Sequence, residues 1–116
     1  MDIEYFHRHC LKKKGVEESF PFGGNILVFK VFGKMFALTD LDNFTSIHLK
    51  CLPERAVELR EQYAGILPGY HLNKKHWNTM LMDGTIPDHV IIECIDNSYD
   101  LVVAGLPSGI RAKLKG

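Results

Sequence analysis

The sequence predicts an α+β domain: a single five-stranded antiparallel sheet with its helices packed on one face, in the order α-β-β-β-α-β-β-α-α. Three observations carry this. Apolar residues recur at helical spacing near both ends of the chain and once in the middle; strand-like runs joined by short glycine-containing turns lie between them; and 116 residues suffice for one hydrophobic core but not two. Segregated helices and strands of this kind stack as layers, helices over one face of an antiparallel sheet.

Residues 3–14 read as the first helix, with Ile3, Phe6, Cys10 and, one step over, Leu11 inward, acids Asp2 and Glu4 in the first turn, and Gly15 as the stop. Residues 17–25 read as loop, with Phe20-Pro21-Phe22-Gly23-Gly24 forming an apolar lid over one end of the core. Residues 26–32 and 35–39 are β-rich and flank Gly33-Lys34, where glycine in first place suits a type II′ hairpin turn. That register sets Val31 opposite Phe36 and Phe29 opposite Leu38, one apolar face completed by Leu27. Residues 45–51 alternate Ile47, Leu49 and Cys51 with Ser46, His48 and Lys50, a half-buried third strand.

Pro53 opens a helix with Ala56, Leu59 and Tyr63 on one stripe. After the turn Pro68-Gly69, residues 71–74 and 77–82 read as a second antiparallel pair, closed by Lys75-His76 and ended by Asp83-Gly84. Pro87 opens another helix with Ile91, Cys94 and Ile95 inward. Asn97 caps a last short helix, Asp100 completes a capping box, and Gly105-Leu106-Pro107 terminates it. One domain thus spans residues 1–116, with 108–116 as a frayed basic tail.

No apolar run approaches the roughly 20 residues of a membrane span, and Met1-Asp2-Ile3-Glu4 lacks the basic and apolar regions of a signal peptide. A cytoplasmic protein without a membrane partner is expected. Cys10, Cys51 and Cys94 are scattered, so reduced thiols are expected in place of disulfides. A formal net charge of +0 excludes retention on nucleic acid by bulk charge. Distribution matters more: acids crowd into Asp83, Asp88, Glu93, Asp96 and Asp100, and bases gather at Arg8 and Lys12 to Lys14, at Lys74 and Lys75, and at Arg111, Lys113 and Lys115.

The segment Asn73-Lys74-Lys75-His76-Trp77 combines what a phosphate-and-base contact surface uses: lysine for phosphate, amide and imidazole for edges, indole for stacking. It also fits a structural corner, with Trp77 as a core anchor and the lysines as a solvated tip. Strand alternation favours that reading for Trp77. Asp96, Ser98 and Tyr99 bring together a carboxylate, a hydroxyl and a phenol, but Ser98 lacks the glycines of a nucleophile elbow, and capping accounts for Asp96, Asn97 and Ser98. His7 and His9 are two apart on a helix, and His71 and His76 fall on two strands. No pair has the i, i+4 spacing of a zinc site, so neither metal nor other cofactor is expected.

The order and spacing of Leu72-Asn73-Lys74-Lys75-His76-Trp77-Asn78-Thr79, Asp83-Gly84-Thr85-Ile86-Pro87-Asp88 and Asp96-Asn97-Ser98-Tyr99-Asp100-Leu101-Val102 resembles the MmcQ/YjbR family over essentially the whole chain. The resemblance implies a frataxin-like (CyaY-like) fold and DNA as the partner of a binding module, and the residues read above put Asn73, Lys74, Lys75 and His76 at the contact. It also implies an architectural signature of Trp77, Asp96, Ser98 and Tyr99, in which Tyr99 packs on the sheet and ties its hydroxyl to a neighbouring loop. Iron binding, as in frataxins, does not carry over, because the first helix is basic after Glu4. The alternative expectation is a protein partner: a chaperone-like adaptor using the open face or edge of the sheet, with Phe32, Met35, Met80 and Met82 as its apolar patch. An enzyme is not expected, since no acid, base and nucleophile set assembles.

Overall fold

The structure, a computed structural model, describes residues 1–115. Helix α1 (Ile3–Leu11) begins where the Asp2 carboxylate accepts the Tyr5 N–H at 2.8 Å. It buries Phe6, His9 and Cys10 and leaves Leu11 exposed, so His9 takes the inward place expected for Leu11. Gly15, at φ 74°, turns the chain. The next residues are not loop: β1 (Val16–Ser19) pairs antiparallel with β2 (Ile26–Val31). The sheet therefore has six strands instead of the expected five. A four-residue edge strand with two glutamates carries too little alternation to announce itself. Phe20 and Phe22, expected as a lid, are 47% and 60% exposed.

Strand β3 (Lys34–Asp40) follows a Phe32-Gly33 turn with φ of 47° and 81°, positive at both central residues as in a type I′ turn, where type II′ at Gly33-Lys34 was expected. The register also departs. Phe29 opposes Ala37 but Lys30 opposes Met35, which makes Phe36 the extra residue of a β-bulge. The bulge turns both Phe36 and Ala37 into the main core and sends Leu38 to the opposite face.

β4 (Ser46–Lys50) alternates as expected, and α2 (Pro53–Gln62) follows. β5 (Ile66–Pro68) forms the far edge, where proline's missing N–H interrupts no ladder, and β6 (Trp77–Leu81) inserts between β4 and β5. The strand expected at 71–74 is a loop. Gly69 lies against Trp77, where a β-carbon would come 2.8 Å from the Trp77 Cβ, and Leu72 packs on the Trp77 cluster.

α3 (Asp88–Ala104) runs 17 residues without the break expected at Asn97, because the buried stripe Ile91, Ile95, Ser98 and Val102 passes straight through it. Asp96, Asn97 and Ser98 are therefore mid-helix residues and cap nothing. α4 (Ser108–Lys115) replaces the expected frayed tail, with Ile110 and Leu114 packed on the core; Gly116 lies outside the described residues.

The main core, which includes Phe6, Phe29, Phe36, Ile47, Leu49 and Ile95, lies between helices and sheet. On the other face sits a small cluster of Val28, Leu38 and Trp77. Among the described residues no helix is long and apolar enough to cross a membrane.

Candidate functional site

Strand register fixes which residues share an end of the sheet. Val16 opposes Val31, Val31 opposes Lys34, Ala37 opposes Leu49, and Lys50 opposes Trp77. The turn after α1, the Phe32-Gly33 turn, the end of β4 and the loop before β6 therefore lie together. α4 joins them, since a β-carbon on Gly15 would come 2.7 Å from Leu114 Cδ2. Lys12, Lys13, Lys14, Lys34, Lys50, Lys74, Lys75 and Lys113 thus collect at one end. From β1 to β6 they spread over roughly 19 Å, at 4.7–4.9 Å per strand spacing.

The opposite end holds Asp2, Glu4, Asp40, Asp42, Asp83 and Asp88. There Ile26 opposes Asp40, Ser46 opposes Leu81, and the Met1 ammonium meets Asp88 at 3.2 Å. α1 and α3 run side by side from the acidic to the basic end, through Met1–Asp88, Lys13–Asp96 and Lys14–Tyr99.

The loop residues singled out in the sequence divide by role. Asn73 shapes the loop: its Oδ1 accepts the Lys75 and His76 N–H groups at 2.9 and 3.3 Å. Lys74 closes it, donating from Nζ to the Gly69 carbonyl at 2.9 Å, and its own carbonyl accepts from Arg60 at 3.4 Å. Lys75 and His76 are exposed. Trp77 is only 8% exposed and cannot offer a face for stacking. Phe32, missed in the sequence as part of this end, is 43% exposed at its hairpin tip. An aromatic beside a turn glycine was the signal.

Ser98 is fully buried, donating to the Phe36 carbonyl at 2.6 Å and accepting the Lys50 N–H at 2.9 Å. Those two groups sit where the bulge interrupts β3 and the β3–β4 ladder stops short. A helix hydroxyl bridges the gap. Asp96 Oδ1 accepts from Lys13 at 2.6 Å and from His9 at 2.7 Å, tying α1 to α3. Partial burial pushes its carboxyl up, but the bonds and charges of Lys13 and His9 outweigh this and hold it below the ordinary range. The Tyr99 ring stands edge-on to Phe36, centroids 5.5 Å apart, and its hydroxyl donates to the Lys14 carbonyl at 2.6 Å. It thereby fixes the turn that carries Lys12 to Lys14. Among the described residues no group of three or more His, Cys, Asp or Glu side chains is placed to hold a metal ion.

The YjbR family model matches residues 11–101, from the end of α1 through Ser98 and Tyr99 into the last turns of α3. The chain belongs to the YjbR family. It is similar to YjbR of Escherichia coli K12, described as an uncharacterized protein, with 36% identity over 115 residues and 98% of each chain covered. YbdF of Escherichia coli O157:H7, likewise uncharacterized, is 37% identical over 111 residues, 91% of each chain. The crystal structure of DR2400 from Deinococcus radiodurans is 40% identical with a TM-score of 0.90, covering 97% of this chain and 87% of that one. The YjbR fold described above is thus shared by a relative over nearly the whole chain.

Proposed function

We propose that this YjbR-family protein is a non-enzymatic binding module that takes duplex DNA on its basic end. What supports the reading is the sorting of charge: a chain of formal net charge +0 gathers lysines from five separate segments at one end of its sheet. Each phosphate neutralised there releases condensed counterions, which supplies affinity without sequence preference. The acidic end is repelled by the same polyanion, so the protein approaches with its basic end forward. Lys14, Lys34, Lys75 and His76 are the contacts, and Asn73 and Lys74 hold the loop in shape. Phe32 stands among them, 43% exposed at the hairpin tip, an aromatic face beside the cations.

The adaptor reading has less behind it. Met80 is buried under the helices and Met82 packs against the main core, so with Phe32 and Met35 they form no common patch.

Fluorescence anisotropy with a labelled duplex of about 20 base pairs across a salt series tests the proposal, with affinity expected in the non-specific range of about 10⁻⁴–10⁻⁶ M at physiological salt. The double variant Lys34→Ala with Lys75→Ala is expected to melt as the parent does and to reduce the slope of log K against log salt by about 2, at about 0.9 per lost phosphate. No salt-sensitive binding by the parent protein at low ionic strength removes the DNA reading.

A further inference from the structure

α2 packs chiefly on β5, whereas α3 lies across β2, β3 and β4, and the wedge between the two helices above β6 is filled by neither. It is a cavity of about 320 Å³, at the small end of the range that takes metabolite-sized ligands. Its floor is Leu49, Asn78 and Met80; Leu59 of α2 and Cys94 and Leu101 of α3 form the walls. Burial pushes the Cys94 thiol up to about 11, with neighbouring Cys51 and Glu93 adding to the shift, and burial raises Cys51 as well. Both thiols stay protonated at neutral pH and act as apolar lining.

Polar groups sit at two levels. Asn78 is 3% exposed at a core-facing position; its Oδ1 accepts from Arg60 at 2.9 Å and its Nδ2 donates to the Ala56 carbonyl at 3.3 Å, which leaves one amide N–H at the floor. At the rim are Arg55, Asn97 and Asp100; Lys50 also lines the wedge, but it opposes Trp77 in the ladder, so its ammonium stem leaves from the other face of the sheet. Arg55 makes one 3.2 Å contact, with Glu58, and keeps its other donors; Asp100 has no hydrogen-bond or ion-pair partner among the described residues. A guanidinium and a carboxylate at the mouth of one apolar wedge disfavour a ligand of single charge of either sign. They suit a molecule carrying both charges above an apolar body. The first turn of α2, which lacks a side-chain cap, adds uncapped N–H groups on the Arg55 side.

We propose that this wedge binds a free α-amino acid with an apolar side chain, its carboxylate at Arg55, its ammonium at Asp100 and Asn97, and its side chain against Leu49, Met80 and Leu101. This is independent of the DNA reading: of the lysines at the basic end only Lys50 lines the wedge, and the proposed DNA contacts Lys14, Lys34 and Lys75 do not.

Titration of the full chain with L-methionine, L-leucine and L-phenylalanine, followed by amide chemical shifts and calorimetry, tests it. At least one is expected to bind with a Kd under roughly 1 mM and to shift the amides of Leu49, Asn78, Cys94 and Leu101. Arg55→Gln should weaken that binding at least tenfold. Asp100→Asn should weaken the amino acid while sparing 4-methylpentanoate, which has the carboxylate and no ammonium. Asn97→Trp, at an exposed rim position, should keep the parent's melting temperature, block the wedge and abolish binding. No shift at these amides with any of the three amino acids at 10-fold above that concentration overturns the proposal. Equal affinity for 4-methylpentanoate and L-leucine in the parent protein also overturns it.

Discussion

At one end of the sheet nearly every acid is engaged locally; at the other, most lysines have no partner. Asp2 starts α1, Asp40 accepts the Asp42 N–H at 2.9 Å, Asp42 accepts from Asn25 at 2.6 Å, and Asp88 holds the Met1 ammonium. Asp83 accepts the Thr85 hydroxyl at 2.6 Å and its N–H at 3.1 Å, and these bonds hold its carboxyl below the ordinary range. At the basic end Lys13 and Lys74 are tied down, but Lys12, Lys14, Lys34 and Lys75 make no side-chain hydrogen bond or ion pair among the described residues. The chemistry explains the asymmetry. A short carboxylate is an acceptor that fits the orphan N–H groups of turns and helix starts, whereas an ammonium on a four-carbon stem is a donor that stays in water. A balanced composition can therefore hide charge that is available to a ligand on one end only.

The largest expected effects break the frame of the basic end. Trp77→Ala removes the anchor under the Gly69–His76 loop and should destabilise the fold by about 3–5 kcal/mol in urea denaturation. A change near zero would mean that the indole faces solvent and is free to stack. Ser98→Ala leaves the Phe36 carbonyl and the Lys50 N–H buried without their bridge and should cost about 2–3 kcal/mol by the same measurement. Loss of only a few tenths would show that the β3–β4 ladder closes without it.

The next effects sharpen the contrast between the ends. Asp2→Ala should cost about 1 kcal/mol as a lost N-cap, whereas Lys34→Ala should stay within about 0.5 kcal/mol of the parent. Equal losses would contradict the division into engaged acids and idle lysines. Asp96 gives a pH test. Its folded carboxyl lies below the ordinary range, so its contribution is complete above the unfolded value of about 3.9 and is lost as pH falls through the folded one. The stability gap between the parent and Asp96→Asn should be widest at pH 6 and should narrow by pH 3; a gap that widens on acidification would refute the assigned tie to Lys13 and His9.

What the sequence disclosed follows the range of the interactions involved. Alternation in 45–51, the helical stripe of α2 and the Ile91–Ile95 part of α3 are local, and they were legible. Ser98 stands on the Ile91, Ile95 and Val102 stripe, but its proximity to Asn97 favoured a cap that the helix does not need. The bulge at Phe36 was hidden, because a one-residue slip is set by pairing with β2 and by the Ser98 bridge, and neither is local. For the same reason Lys75 and His76 could be named from their own segment, while Lys14 and Lys34 join them only through register across four strands. β1 was invisible because two of its four residues are glutamates and its order comes from Ile26–Val31.

The central claim is that one end, not the net charge, meets DNA, and a matched pair of double variants addresses it directly. Lys34→Gln with Lys75→Gln lowers the charge by two at the basic end; Glu4→Gln with Asp88→Asn raises it by two at the acidic end. Duplex binding across a salt series should lose about 2 from its slope in the first variant and keep the parent slope in the second. Equal and opposite changes in affinity, with slopes unaltered in both, would mean that binding follows total charge and would contradict the account.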